Sequence, residues 1–252
     1  MNDAASLAAA FKGAGPIAEL ENKPADVVAG YALQDAVRAA LGGAVIGWKL
    51  AQTTPAAQAA AGIDAPTVAP LLDGMIFPAD HVFPAKAFYK PEAEAEIALE
   101  LAAPIEGPVS PDEVFGACAG FRLAIEIADT RYVDKPAMVP SGVIADMNSC
   151  GALIVGPLMA MDGYEAAVSA PVTTQLGGGG IVESLPPEGR PDPLAVVSFL
   201  SHFVTERGET LPAGMIITTG THTKPTPTGP GLVIVEFEGV GKVAARLDVP
   251  WS

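Results

Sequence analysis

Ala93-Glu94-Ala95-Glu96-Ile97-Ala98-Leu99-Glu100-Leu101-Ala102 alternates with a period near two before the chain reaches Pro104. That period belongs to a half-buried strand, in which every second side chain shares a face. Glu94 and Glu96 then fall on one side, joined by Glu92 if the strand starts early. Glu126 follows inside Phe121-Arg122-Leu123-Ala124-Ile125-Glu126-Ile127, again in apolar company. An isolated buried carboxylate is costly, whereas three that converge on one hard divalent cation are compensated by it. The pattern therefore points to a magnesium or manganese centre built from Glu94, Glu96 and Glu126. From spacing alone, the alternative is an edge strand with a wet face and one further surface glutamate.

Outward from this strand, the chain reads as two unequal parts. Residues 24–41 carry apolar positions at helical spacing and stop at Gly42-Gly43, which predicts an amphipathic helix followed by a breaker. Residues 45–50 suit a short strand, and residues 55–61 an Ala-rich helix ended by Gly62. Residues 1–75 are thus expected to be mainly helical. From Met75 onward, short apolar segments alternate with Pro, Gly and Asp turns, so residues 76–252 are expected to form a sheet-based catalytic domain. The two parts need not fold independently. Within the second part, residues 113–127 suit a helix or a helix running into a strand, and residues 144–155 are mixed. Residues 166–172 read as a strand before the glycine turn at 177–180, and residues 191–202 as a helix. Strands are expected again at 215–219, 232–237 and 243–247.

Composition narrows the function classes. The 252 residues hold 14 Lys and Arg against 29 Asp and Glu, a formal charge of -15 and a pI near 4.4. Such a surface argues against nucleic-acid partners and against electrostatic attachment to anionic lipid. A small anionic substrate would need a local positive site, for which a metal, Lys49 or Arg131 is available. The first fifteen residues lack a basic leader, and no apolar run reaches bilayer length, so a cytoplasmic protein is expected. Cys118 and Cys150 are too few for a disulfide scaffold and read as core thiols. The glycines at 177–180 lack the Walker and dinucleotide fingerprints, so no nucleotide cofactor is expected.

Gly30-Tyr31-Ala32-Leu33-Gln34, Gly47-Trp48-Lys49-Leu50, Glu94-Ala95-Glu96, Glu126 with Asp129-Thr130-Arg131, and residues 211–220 follow one another in an order that resembles the fumarylacetoacetate hydrolase superfamily. Within it, the resemblance is to the 2-oxopent-4-enoate hydratase and 4-oxalocrotonate decarboxylase branch, over roughly residues 25–247. The resemblance implies an α/β fold, a mixed beta-roll with an N-terminal helical region. It also implies Mg2+ or Mn2+ held by Glu94, Glu96 and Glu126, and a small 2-oxo or 2-hydroxydienoate carboxylate substrate. Lys49 matches a lysine that contacts substrate and assists proton transfer in the family. Asp146 is a candidate for orienting a lysine or a water. Arg131 is expected to pair with Asp129 or to hold an internal glutamate.

Two departures stand out. The branch has Asn directly after Asp, but here Met147 intervenes and Asn148 follows, which in an extended segment would turn the amide to the opposite face. The loop Gly220-Thr221-His222-Thr223-Lys224-Pro225-Thr226-Pro227 replaces a smaller, more apolar continuation. It either adds polar groups to a pocket or forms a solvent-facing turn, and His222 is a candidate general acid or carboxylate contact. The implied reaction is hydration of a 2-hydroxy-2,4-dienoate to a 4-hydroxy-2-oxo acid. Decarboxylation of a 4-oxalocrotonate-type 2-oxo acid is the nearest alternative, ahead of 3-acylpyruvate hydrolysis and a noncatalytic partner role. A homo-oligomer, or association with a paralogous hydratase or decarboxylase, is also implied.

Overall fold

The structure, a computed structural model, describes residues 2–134 and 139–248. Helix α1 (Asp3–Ala9) starts at Asn2, whose side chain accepts the Ala5 N–H. Helix α2 (Val27–Leu41) starts at Asp26 in the same way and ends at Gly42, matching the expected period. After β1 (Val45–Ala51), helix α3 (Pro55–Ala61) runs between the Thr54 cap and a left-handed Gly62, the bounds its sequence gives it. Strand β2 (Thr67–Leu72) was not expected, because Pro70 interrupts it. It lies at the end of the sheet, where a missing N–H costs no ladder bond.

The remaining elements are β3 (Ile76–Pro78), β4 (Val82–Phe83), β5 (Glu92–Leu101), α4 (Pro111–Ala117), β6 (Cys118–Ala128), α5 (Pro140–Ala145) and β7 (Cys150–Val155). They continue through α6 (Tyr164–Ser169), β8 (Val172–Gln175), β9 (Ile181–Glu183), α7 (Pro193–Glu206), β10 (Ile216–Thr221), β11 (Thr226–Pro227), β12 (Gly231–Phe237) and β13 (Gly241–Leu247). Residues 113–127 are indeed a helix running into a strand. Residues 166–172 differ from expectation: they belong to α6 as far as Ser169, and β8 begins only at Val172. Tyr164 and Ala167, three apart, are the buried face of this helix, a period the strand reading overlooked.

The larger sheet has the order β2-β1-β10-β5-β6-β7-β3, with β11 also pairing β5, and the smaller has the order β4-β13-β12-β8-β9. This is the expected mixed α/β fold with curled sheets. Strands β1 and β2, which precede residue 76, belong to the larger sheet. One face of that sheet carries Trp48, Leu50, Ile97, Leu99, Ile125 and Ile127 into a core shared with Val233, Val235 and Phe237 of the smaller sheet. Each such fully buried aliphatic chain contributes about 1.5–3 kcal/mol, so this core holds the sheets together and leaves the opposite face for polar work. On that opposite face, Ala98 and Ala124 pack with Ala69, Leu71, Met147 and Leu153 in a second apolar cluster. Among the described residues, no helix is long and apolar enough to cross a membrane.

Candidate metal centre

Antiparallel pairing of β5 and β6 sets Glu94 directly opposite Glu126, with Glu96 two residues along the same face. One carboxylate oxygen from each of Glu94, Glu96 and Glu126 lies within 4.8 Å of the others. Glu96 is 1% exposed and Glu126 0%. Glu96 Oε2 accepts from the Thr218 hydroxyl and, at 2.9 Å, from the Gly220 N–H. Burial, then repulsion from Glu126 and Glu94, outweighs these two bonds and holds the Glu96 carboxyl well above its usual range. Glu96 Oε1 and Glu126 Oε2 have no hydrogen-bond partner. Three carboxylates with two orphaned oxygens are an all-oxygen donor set, and they fit a hard divalent ion.

Lys49 reaches this cluster from β1, where its ammonium pairs with Glu126 and donates to the Asn148 carbonyl at 2.9 Å. Burial opposes its charge, yet Glu126 and then Glu94 outweigh burial and raise its pKa above the ordinary lysine range. The carboxylates thus win the opposition between burial and charge at this lysine. Two glycines make the approach fit. A Cβ at Gly47 would stand 2.3 Å from the Ile216 carbonyl oxygen of the parallel neighbour β10, and that pairing places Lys49 opposite Thr218. Gly220 has φ +106°, and a Cβ there would stand 2.1 Å from Thr53 Oγ1.

Lys49, Glu94, Asn148, Gly220, Thr221 and Pro225 border a cleft of about 280 Å³. Residues of the 220–227 loop therefore do reach the cleft. Asp146 and His222 are not among its lining residues. Asp146 is fully buried and accepts from Arg131 Nε at 2.6 Å and from the Arg131 N–H at 3.1 Å. Arg131 also donates to the carbonyls of Asp146 and Cys150 at 2.9 and 2.8 Å, so the pair clamps the 146–150 turn. Arg131, expected to pair with Asp129 or to hold an internal glutamate, pairs with Asp146, and Asp129 accepts the backbone N–H groups of Tyr89 and Lys90. His222 is 0% exposed, packs edge-on against Phe237 at 5.5 Å, and has no hydrogen-bond partner on either ring nitrogen. Burial, then Arg190, lowers its pKa to about 4.

Residues 146–149 form a tight turn rather than an extended segment, so the face alternation expected for the displaced asparagine does not apply. Met147, Asn148 and Ser149 have φ of 51°, 52° and 58°, three left-handed residues in succession. Each costs about 1–2 kcal/mol, and the Arg131–Asp146 clamp beside them supplies compensating bonds. Sequence reading missed Thr218, Gly220 and the Asn148 carbonyl as contacts of the charged cluster. Only the glycine that follows the expected 215–219 strand hinted at them.

A family model described as fumarylacetoacetate (FAA) hydrolase C-terminal matches residues 44–248. The chain belongs to this family. This fumarylacetoacetate hydrolase family protein is 30% identical over 214 residues to a 4-oxalocrotonate decarboxylase of Pseudomonas putida, covering 81% of the chain and 78% of the relative. It is 28% identical over 240 residues to a 2-keto-4-pentenoate hydratase of Paraburkholderia phymatum, covering 88% and 87%. Among solved structures, it resembles 4-oxalocrotonate decarboxylase from Pseudomonas putida G7 complexed with magnesium and adipate, with TM-score 0.82, 27% identity and 97% of each chain covered. The same enzyme complexed with calcium and acetate matches with TM-score 0.81 and 28% identity over 97% of this chain and 96% of that one.

Proposed function

We propose that this family member is a divalent-metal-dependent hydratase that adds water to a 2-hydroxy-2,4-dienoate of the 2-oxopent-4-enoate type, giving a 4-hydroxy-2-oxo acid. The observation that carries the reading is the buried cluster of Glu94, Glu96 and Glu126 with the Lys49 ammonium against it. The three glutamates would hold Mg2+ or Mn2+. When bound, such an ion polarises the 2-oxo group and offsets negative charge developing on it. Thr218 and Gly220 orient Glu96, so that ligand stays fixed while substrate exchanges. Lys49 keeps a proton on Nζ beside the cleft, where it binds the substrate carboxylate, gives a proton to C5 and takes back the one that leaves the C2 hydroxyl as that group becomes an oxo group. Water then adds across C3 and C4, with the hydroxyl at C4. Asp146 acts as a positioning residue through Arg131 and the turn that carries Asn148.

Decarboxylation of a 4-oxalocrotonate-type acid is the second reading, supported by the TM-score of 0.82 to a relative of that name. Metal-depleted protein should be incubated with 2-hydroxypenta-2,4-dienoate and with 2-oxohex-3-enedioate, with and without Mg2+ or Mn2+. Metal-dependent gain of one water by the first compound, read by mass, is the expected result. Carbon dioxide release from the second without hydration of the first would overturn hydration in favour of decarboxylation. Inertness towards both would leave a different 2-oxo acid reaction or a noncatalytic partner role.

A further inference from the structure

Asn148 is 4% exposed, and neither its amide nitrogen nor its amide oxygen has a hydrogen-bond partner. It borders the cleft that holds Lys49 and Glu94, and it also borders a second chamber of about 250 Å³. Gln52 and Val143 line both cavities as well, so the second chamber lies directly beside the first. Away from that shared wall, the second chamber is bounded by Ala60, Ala61, Ile63, Pro140 and Ile144, together with Thr67. Gln52 is already engaged, its amide oxygen accepting from Thr67 at 2.5 Å. Of the shared residues, Asn148 is the one whose amide oxygen and nitrogen are both buried without a partner. A run of three left-handed residues, with the Arg131–Asp146 clamp beside it, fixes where that capacity is presented. A buried amide with both donor and acceptor open is costly unless a ligand completes it.

We propose that Asn148 is the specificity residue at C4, its carboxamide holding the hydroxyl of a 4-hydroxy-2-oxo acid whose remaining chain enters the apolar second chamber. A hydroxyl both donates and accepts and so matches both open atoms. A second carboxylate matches only the amide N–H and would set its charge against the amide oxygen. The inference rests on the 2-oxo acid reading of the cleft. It narrows that reading to 4-hydroxy-2-oxo acids whose chain beyond C4 is uncharged.

The test is calorimetric binding of three five-carbon 2-oxo acids to Mg2+-loaded protein: 4-hydroxy-2-oxopentanoate, 2-oxopentanoate and 2-oxoglutarate. Wild type should bind the hydroxy acid roughly tenfold tighter than the other two. Asn148→Ala should erase that preference while leaving affinity for 2-oxopentanoate and for Mg2+ alone unchanged. Asn148→Gly, which tolerates the left-handed φ, serves the same purpose should the alanine variant fail to fold. Equal weakening of all three acids, no change in any, or tightest wild-type binding of 2-oxoglutarate would overturn the proposal alone. A wild type that binds Mg2+ but none of the three acids would overturn both the proposal and the reading beneath it.

Discussion

At Glu96, a neutral hydroxyl and one backbone N–H are what keep a buried carboxylate pointed at its neighbours. Replacing that hydroxyl in Thr218→Val should weaken Mn2+ binding about 10–100-fold, read by competition with a chelating dye, with the fold unchanged by circular dichroism. His222 makes a different prediction. Its pKa falls from 6.5 to about 4 on burial, so the unfolded chain binds the extra proton first. The neutral ring's contribution is complete above pH 6.5 and is lost as pH falls towards 4, by roughly 3 kcal/mol in all. Urea unfolding across this window should show wild type losing stability relative to His222→Phe as pH falls, and a pH-independent difference would refute the assignment. Glu94, Glu96 and Glu126 were legible because a period of two and one strand pairing decide their face. His222 was not, because β10 carries a bulge: Thr218 pairs with Ala98, but Thr221, not residue 220, pairs with Glu96. Without that extra residue His222 would share the face of Thr218, and with it the ring turns into the core.

Among the elements, β1 is held closely to its parallel neighbour. Gly47 lets it lie against β10 in parallel, and Lys49 reaches Glu126 only from that position. Gly47→Ala would press a methyl group into the Ile216 carbonyl, at an expected cost of about 1–3 kcal/mol in urea unfolding. The same variant should lose turnover beyond what its stability explains, because Lys49 moves with the strand. Wild-type kcat/KM in a folded Gly47→Ala would contradict this placement. Elements with local punctuation were legible: α3 has a threonine cap, a first-turn proline and a terminal glycine, and its bounds follow from them. Strand β2 hid behind Pro70, whose tolerance depends on its edge position, a property of the sheet rather than of the local sequence. The three left-handed residues at 147–149 left no glycine to announce them. Their conformation goes with an ion pair and contacts to Lys49 that come from other elements.

For the molecule as a whole, a charge of -15 and three carboxylates gathered on one face of the larger sheet make the metal-free protein store repulsion. A cation bound by the folded state alone adds about 2.7 kcal/mol at a concentration 100 times its Kd. For a chain of this length that raises Tm by roughly 5–10 °C, which differential scanning fluorimetry with Mg2+ or Mn2+ would read. The central claim is that Glu94, Glu96 and Glu126 together hold that ion, and its most direct test is an electron paramagnetic resonance titration of Mn2+ into metal-depleted protein. Wild type should take up one Mn2+ per chain and the isosteric Glu126→Gln none over the same range, with both proteins folded. No uptake by wild type, or undiminished uptake by the variant, would contradict it.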